Sequence, residues 1–267
     1  MNDDPSSGSI IGLTDSQYWR HFWNVAAVRI APSRGGIRDH VRDSLLLEIA
    51  TVIQPGTTWL EVGCASSTFL LDVPTKLGAQ LDGVDISAAA LQTTRDDLAR
   101  FDLKPRLRCH DFATPLSEEL NAYDGVVSFG FVEHFFDLAA TFLALRRYVK
   151  PGGAIVTLIP NMAGLNGLLQ LAVDRPIFLT HHIVTPPVLR HGMGSAGLRV
   201  DRCDPVMAVN LGVVNVGDRR NRVGGRALEA MLVGTSRAVW AAERATRKPA
   251  APKLWRSPYL IAVGYAE

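Results

Sequence analysis

The sequence predicts an α/β fold built on one mostly parallel sheet of seven strands with helices on both faces. Three observations point there. From residue 58 onward, short apolar runs alternate with helical patterns about every 20–25 residues, the rhythm of strand–helix–strand crossovers. Gly63 ends the first apolar run and Asp85 ends the second. The 267 residues, 47% hydrophobic and 20% charged, suit one such domain with additions and can bury a full core.

The elements follow in order. Residues 1–13 read as a polar tail. Thr14-Asp15-Ser16-Gln17 has capping-box spacing, and Tyr18, Phe22 and Val25 then recur at helical intervals. APSRGG at 31–36 is a break, after which Val41, Leu45, Ile49 and Ile53 share one helical face. Trp59 to Val62 is the first strand. Leu81 to Val84 is the second, followed by a helix from about Ala88 to Phe101. Arg106 to Cys109 is the third strand and Gly125 to Phe129 the fourth. Leu138, Phe142, Leu145 and Val149 mark a helix, stopped by Lys150-Pro151-Gly152-Gly153, and Ala154 to Ile159 is the fifth strand. Residues 161–187 interrupt the alternation with an apolar, helix-leaning insert. Val200 to Val209 supplies a sixth strand, 224–248 a helix, and Tyr259 to Tyr265 a seventh strand. The chain thus divides into a tail and helical lid (1–57), a core (58–160), an insert (161–187) and a C-terminal part of the same domain (188–267).

Composition excludes several classes. Three widely spaced cysteines (64, 109, 203) with no C-x-x-C speak against a disulfide framework or zinc ribbon. The N-terminus MNDDPSSGSI lacks the basic and apolar regions of a secretion signal, and the stretch from Ile159 to Leu179 is too broken by polar residues and prolines to span a membrane. A cytoplasmic protein is the expectation. The net charge of +2 hides an asymmetry: residues 219–256 hold ten Lys/Arg and two Glu, a local +8 against −6 elsewhere. That stretch includes an amphipathic helix with Leu228, Met231, Leu232, Val239 and Ala242 on its apolar face and Arg226, Arg237, Arg244 and Lys248 nearly opposite. It is either a solvated face or a contact for an anionic surface, acidic carrier or RNA. RNA is the weakest, since no aromatic-interleaved basic tract accompanies it, and no DNA partner is expected.

A glycine loop after the first strand, with an acid at the tip of the second, is the logic of a nucleotide or adenosyl site. Gly63 and Asp85 are 22 residues apart, near the spacing of about 20 that such sites use. The surrounding residues sharpen this. Leu60-Glu61-Val62-Gly63-Cys64-Ala65-Ser66-Ser67 resembles motif I of class I S-adenosylmethionine-dependent methyltransferases. Gly83 to Ser87 resembles the acidic-loop motif, His110-Asp111-Phe112 the adenine-contacting segment, Asp124 to Phe129 motif IV, and Leu145 to Gly153 the helix and turn before strand 5. The motifs arrive in the family's order over residues 58–160.

The resemblance implies a Rossmann-like fold, S-adenosylmethionine as cofactor, and roles residue by residue. Glu61 would fix the loop or reach the methionine amino group, and Gly63 and Ala65 would line the methionine side. Asp85 would hold the ribose, Ile86 would pack on adenine, Asp111 with Phe112 would serve the adenine amino group, and Phe129 would sit under the methionine portion. The family favours glycine where this chain has Ala65 and Ser67. Both are small, but they disfavour a pyrophosphate cradle and hence a nicotinamide oxidoreductase.

Methyl transfer needs chiefly positioning, with a base only where the acceptor is a hydroxyl or protonated amine. Glu133-His134, after strand 4, matches the family's pair at the mouth of the site, with His134 the candidate base. In quinone-type and RNA 2′-O-methyltransferases a Glu three positions before that pair completes a metal site. Here the position is Gly130, so no metal is expected. Thr180-His181-His182 is the second cluster, with His182 a catalytic candidate and His181 an acceptor contact. Trp19 and Trp23 would face the acceptor from the lid. Together with Met162, Leu165, Leu168, Leu169, Leu171, Ile177 and Phe178 they predict an apolar roof, favouring a lipophilic or aromatic small-molecule acceptor, methylated at oxygen. An asparagine-proline-proline-tyrosine type motif is absent after strand 4, which disfavours adenine or glutamine nitrogen. A carrier-bound, protein or RNA acceptor, or a binding protein without turnover, remains the alternative, and oligomeric state is not legible.

Overall fold

In the computed structural model, seven strands form one sheet in the order β3-β2-β1-β4-β5-β7-β6. The strands are β1 (Thr58–Val62), β2 (Gln80–Asp85), β3 (Leu107–Cys109), β4 (Tyr123–Phe129), β5 (Val149–Pro160), β6 (Leu198–Val206) and β7 (Tyr259–Ala266). The first five are parallel, and β7 runs antiparallel between β5 and β6. The structure describes residues 10, 12–14, 17–19, 29–33, 37–217, 224–246 and 250–267. No described helix is long and apolar enough to cross a membrane.

The helices are α1 (Ile37–Ile49), α2 (Phe69–Asp72), α3 (Ala88–Ala99), α4 (Leu138–Arg146), α5 (Leu165–Val173), α6 (Arg175–Phe178), α7 (Pro186–Ser195) and α8 (Gly225–Thr246). Caps set several starts: Ser87 Oγ accepts from Ala90 N, and Asp137 Oδ1 accepts from Ala140 N at 2.9 Å, each satisfying a backbone donor the helix cannot. Arg42 of α1 pairs with buried Asp72 of α2, its Nη2 2.6 Å from Oδ1, which pins the helix at 37–49 to the helix that follows β1.

β1 and β4 are central, and their side chains feed two cores, one on each face. Leu60, Val126 and Ile155 belong to one, Trp59, Val127 and Val156 to the other. Strands buried on both faces explain why the sequence shows continuous apolar runs. Each fully buried aliphatic side chain there contributes roughly 1.5–3 kcal/mol.

Chain order reverses at β1, which pairs with β2 on one side and β4 on the other: Val62 sits opposite Val84 and Ser128. The carboxyl ends of β1 and β4 therefore mark the topological switch point, the place where such sheets bind ligands.

Two expectations require correction. Met231 does not join the buried face of α8; it is 60% exposed. The buried line is Leu232, Ser236 and Trp240, anchored by Leu211 N donating to Ser236 Oγ and by Trp240 Nε1 donating to the Val209 carbonyl. Leu168 and Leu171 do not roof a pocket either. They are exposed, because α5 turns Asn166, Gly167, Gln170 and Val173 inward instead.

Candidate active site

The loop leaving β1 is shaped by its backbone. Gly63 has φ +76, the left-handed region that glycine enters without steric cost, and a Cβ there would lie 2.7 Å from the Phe131 ring. Ser66 also has positive φ, at 56°, and its N–H donates to Thr94 Oγ1 at 3.0 Å. These bends let the loop fold back over the tip of β2. There Asp85 accepts from Ala65 N at 3.1 Å and from Ser87 N at 2.9 Å. Asp85 is 8% exposed, and burial pushes its carboxyl above the usual range.

Glu61, on β1, is buried, and its Oε2 has no hydrogen-bond partner. Burial pushes its carboxyl up to about 8, opposed by the Ser67 hydroxyl. A buried acid with an oxygen left without a partner fits a cationic group of a ligand, whose charge would favour release of the carboxyl proton. Of the other residues the resemblance singles out, Ile86 is half-buried and follows Asp85 directly. Asp111 is exposed, its Oδ1 accepting from Ala113 N at 2.9 Å. Phe112 is buried, its ring 4.9 Å from Phe131 and 5.3 Å from Phe135. Phe129, at the end of β4, stacks on Phe69 at 3.9 Å and 13°. Phe131 and Phe69 were not singled out in the sequence. Both are apolar residues beside recognised motifs, with no signal to separate them from core.

The second half of the site lies beyond β4, in a 3₁₀ turn at Val132–His134. Glu133 and His134 are both buried. The His134 Nδ1 is 2.7 Å from the Thr180 carbonyl. A carbonyl only accepts, so Nδ1 carries the hydrogen and Nε2 keeps its lone pair. Nε2 lies 3.9 Å from Glu133 Oε1. Burial, reinforced by His181, pulls the imidazole down to about 4, against the raising effect of the Thr180 and Gly130 carbonyls. Glu133 goes the other way: burial pushes it up to about 8, and neither oxygen has a partner. Both groups are therefore neutral near pH 7.

His181, not His182, is brought to His134, with ring centroids 4.9 Å apart. Its Nδ1 faces the Ile177 carbonyl at 2.9 Å. His182 uses its backbone N–H to bond the Glu133 carbonyl at 2.7 Å, and its ring lies 6.1 Å from Phe136. Trp19 meets His134 edge-on at 4.8 Å, its Nε1 donating to Thr14 Oγ1 at 2.8 Å. Leu13 N donates to the His134 carbonyl at 2.7 Å, so the N-terminal segment is tied over this end of the site. Trp23 lies outside the described residues.

Glu133, His134 and His181 offer donor atoms within 4.8 Å of one another. Donors sharing one ion at about 2.0–2.2 Å stand roughly 3–3.5 Å apart, so these would have to draw together. Gly130 supplies no carboxylate beside them.

Comparison with known proteins adds to this geometry. A family model described as a methyltransferase domain matches residues 60–155. A ubiquinone biosynthesis O-methyltransferase from Alkalilimnicola ehrlichii is 30% identical over 101 residues, 38% of this chain and 40% of the relative. The match thus spans about two fifths of that relative's length. Among solved structures, geranyl diphosphate C-methyltransferase from Streptomyces coelicolor aligns with TM-score 0.60 at 13% identity, over 94% of this chain and 98% of that one. It was solved with Mg2+, geranyl diphosphate and S-adenosyl-L-homocysteine. A SAM-dependent methyltransferase from Archaeoglobus fulgidus aligns with TM-score 0.56 at 18% identity, over 87% and 95%. The cyclase SpnF aligns with TM-score 0.63 at 18% identity, over 97% and 99%. These structures share the fold; a cyclase among them shows that the fold alone does not fix the chemistry.

Proposed function

We propose that this chain, which belongs to the class I (Rossmann-like) S-adenosylmethionine-dependent methyltransferases, transfers a methyl group to a small lipophilic or aromatic acceptor, at oxygen. The observation that carries the reading is His134, on the turn that leaves β4 at the switch point, with its Nδ1 held by the Thr180 carbonyl. When bound, S-adenosylmethionine supplies an electrophilic methyl carbon on a positively charged sulfur.

The chain's own residues divide the remaining work. Glu61, buried and lacking a partner at Oε2, suits the ammonium of the methionine portion. Asp85 keeps carboxylate lone pairs beyond its two backbone bonds, enough for ribose hydroxyls. Ile86, Asp111 and Phe112 follow along the same edge for adenine, with Gly63, Ala65 and Phe129 at the methionine end. In-line placement supplies most of the rate.

His134 Nε2 takes the acceptor's hydroxyl proton. Burial makes this imidazole a weak base, but the hydroxyl turns strongly acidic as its oxygen gains the methyl carbon, so a weak base with a free Nε2 can take the proton at that point. Glu133, protonated, adds no negative charge that would fix a proton on His134 beforehand. Trp19 and His181 shape the acceptor side with apolar and edge-on aromatic surface. The relative acting in ubiquinone biosynthesis by O-methylation supports the acceptor class.

Two measurements test the reading. Titration calorimetry with S-adenosylmethionine and S-adenosylhomocysteine should show one site. A mass screen against phenols, polyketides, lipids and sugars should find a gain of about 14 daltons, one methyl replacing one hydrogen, on a phenol or hydroxyl. No cofactor binding at high micromolar concentration rejects the transferase reading. Transfer to protein or RNA alone rejects the acceptor class.

A further inference from the structure

Helix α5 is built inside out. Asn166 is 2% exposed and Gln170 1%, while Leu168 is 69% exposed. The polar pair faces inward because it holds neighbouring backbone. Asn166 Nδ2 donates to the Asn210 carbonyl at 3.2 Å. Gln170 clasps Asn215, its Oε1 accepting from the N–H at 2.7 Å and its Nε2 donating to the carbonyl at 3.0 Å. With that face committed, Leu168 and Leu171 point to solvent.

A second apolar element abuts the same helix. The turn ahead of β7 is docked on its N-terminal end: Leu165 N donates to the Trp255 carbonyl at 2.7 Å, and Asn161 Nδ2 to the Leu254 carbonyl at 2.6 Å. From the turn these contacts use backbone carbonyls only, so its side chains stay outside; Trp255 is 61% exposed and Leu254 40%. Lys253 is exposed beside them, and the Arg256 guanidinium lies 5.8 Å from the Trp255 ring. Arg175, exposed, opens α6 just past the end of α5. The sequence at 250–258 has no acidic residue, and 161–187 has only Asp174, whose carboxylate accepts from Ile177 N.

Exposed leucines with a tryptophan, fringed by cations, match the boundary layer of a bilayer. There indole and leucine enter below the headgroups and Lys and Arg meet lipid phosphate. We propose that the edge formed by Leu168, Leu171, Leu254 and Trp255, with Lys253 and Arg256, seats this protein on the surface of an anionic phospholipid membrane. The contact is peripheral, and it stands independently of the transfer reading. It narrows the anionic contact expected across 219–256 to the end of that stretch and adds α5, which carries no excess charge. The charges select the phospholipid, and the four apolar side chains supply depth.

The test is flotation of the full chain with vesicles of phosphatidylcholine alone and of equal parts phosphatidylcholine and phosphatidylglycerol. Binding is expected to the anionic vesicles only and to weaken with added salt. Lys253→Glu with Arg256→Glu should weaken it about tenfold or more, as should Trp255→Ser with Leu168→Ser. Trp255 emission, isolated as the difference between wild type and Trp255→Phe, should shift to the blue on binding. Trp255, Leu168 and Lys253 are exposed, whereas Arg256 is half-buried with its Nη2 donating to the Ala251 carbonyl at 2.7 Å. Unchanged melting of the variants serves as the folding check, and Lys253→Glu alone carries the charge test if Arg256→Glu disturbs the turn. If Leu168→Ser unfolds the helix, Trp255→Ser alone carries the test. No binding, equal binding to both vesicles, or wild-type binding by the variants would overturn the proposal. A dimer in solution that the Trp255 variant abolishes would assign the edge to a second copy and overturn it equally.

Discussion

His134 donates its Nδ1 hydrogen to the carbonyl oxygen of Thr180 across 2.7 Å, so a residue 46 positions away fixes which imidazole nitrogen is free. If Nε2 is the proton acceptor, His134→Ala should lower turnover by about 10²–10⁴-fold, the range for a lost general base. S-adenosylmethionine affinity should stay within about twofold, because no cofactor contact is assigned to this ring. Since burial holds the imidazole near 4, its neutral form dominates throughout the neutral range. Turnover limited by this group should be flat between about pH 6 and 8 and decline only in acid. Equal turnover in the variant would return His134 to a packing role.

Asp85→Ala should weaken S-adenosylmethionine binding at least tenfold, about 1.4 kcal/mol, the scale of a charge-assisted hydrogen bond. The substitution also frees Ala65 N and Ser87 N, so the loop and the start of α3 loosen together. Calorimetry reads the affinity and circular dichroism the integrity of the fold. Unchanged affinity would mean that the motif register places the wrong acid on the ribose.

The parts of this fold legible in the sequence are those where one local rule decides. Gly63 follows β1 and Asp85 ends β2, so both stand at the same end of neighbouring parallel strands, and the buried parallel strands announce themselves as unbroken apolar runs. The choice between His181 and His182 was not legible. A one-residue step sends the side chains to different neighbours, and here α6 and the Glu133 carbonyl decide which ring turns inward. The reversal of α5 was hidden for the same kind of reason. Apolar periodicity says which residues share a face, but Asn166 and Gln170 are called inside by carbonyls some 45 residues away. Phe131 stands just ahead of Glu133-His134, but nothing in the sequence says that its ring lies against Gly63.

Gly63→Ala should destabilise the protein through two separable effects. An L-residue at φ +76 costs about 1–2 kcal/mol, and the new methyl group would also press on the Phe131 ring. Adding Phe131→Leu should relieve the second effect and leave the first. In thermal melts Gly63→Ala should therefore cost less in the Phe131→Leu background than in wild type. A Gly63→Ala protein melting like wild type would mean that the loop adopts another conformation in solution.

Transfer should not depend on a divalent ion. Gly130 stands where a metal-completing carboxylate would be, and the Glu133, His134 and His181 donors are spread too widely to share one ion without moving together. Turnover after dialysis against a chelator should match the untreated enzyme. Activity lost to the chelator and restored by magnesium or zinc would place an ion on these three residues and remove His134 from the role of base.

Glu133 gives the stability of this protein a pH dependence with a definite sign. Its folded carboxyl titrates near 8, against 4.5 for an unburied one. Between those values the folded state holds a proton that the unfolded state has released, so stability falls as pH rises through the window. The slope is at most about 1.4 kcal/mol per pH unit for one group. Glu61 contributes a second slope of the same sign, and the lowered imidazole of His134 an opposite one between about 4 and 6.5. Glu133→Gln removes only the first of these. It keeps the shape and neutral polarity of the protonated acid while losing the ionisation. The melting temperature of Glu133→Gln minus that of wild type should therefore climb steadily from about pH 5 to pH 8. A difference that stays level or falls would mean that Glu133 is already ionised in the native protein, and the neutral pair with His134 would have to be abandoned.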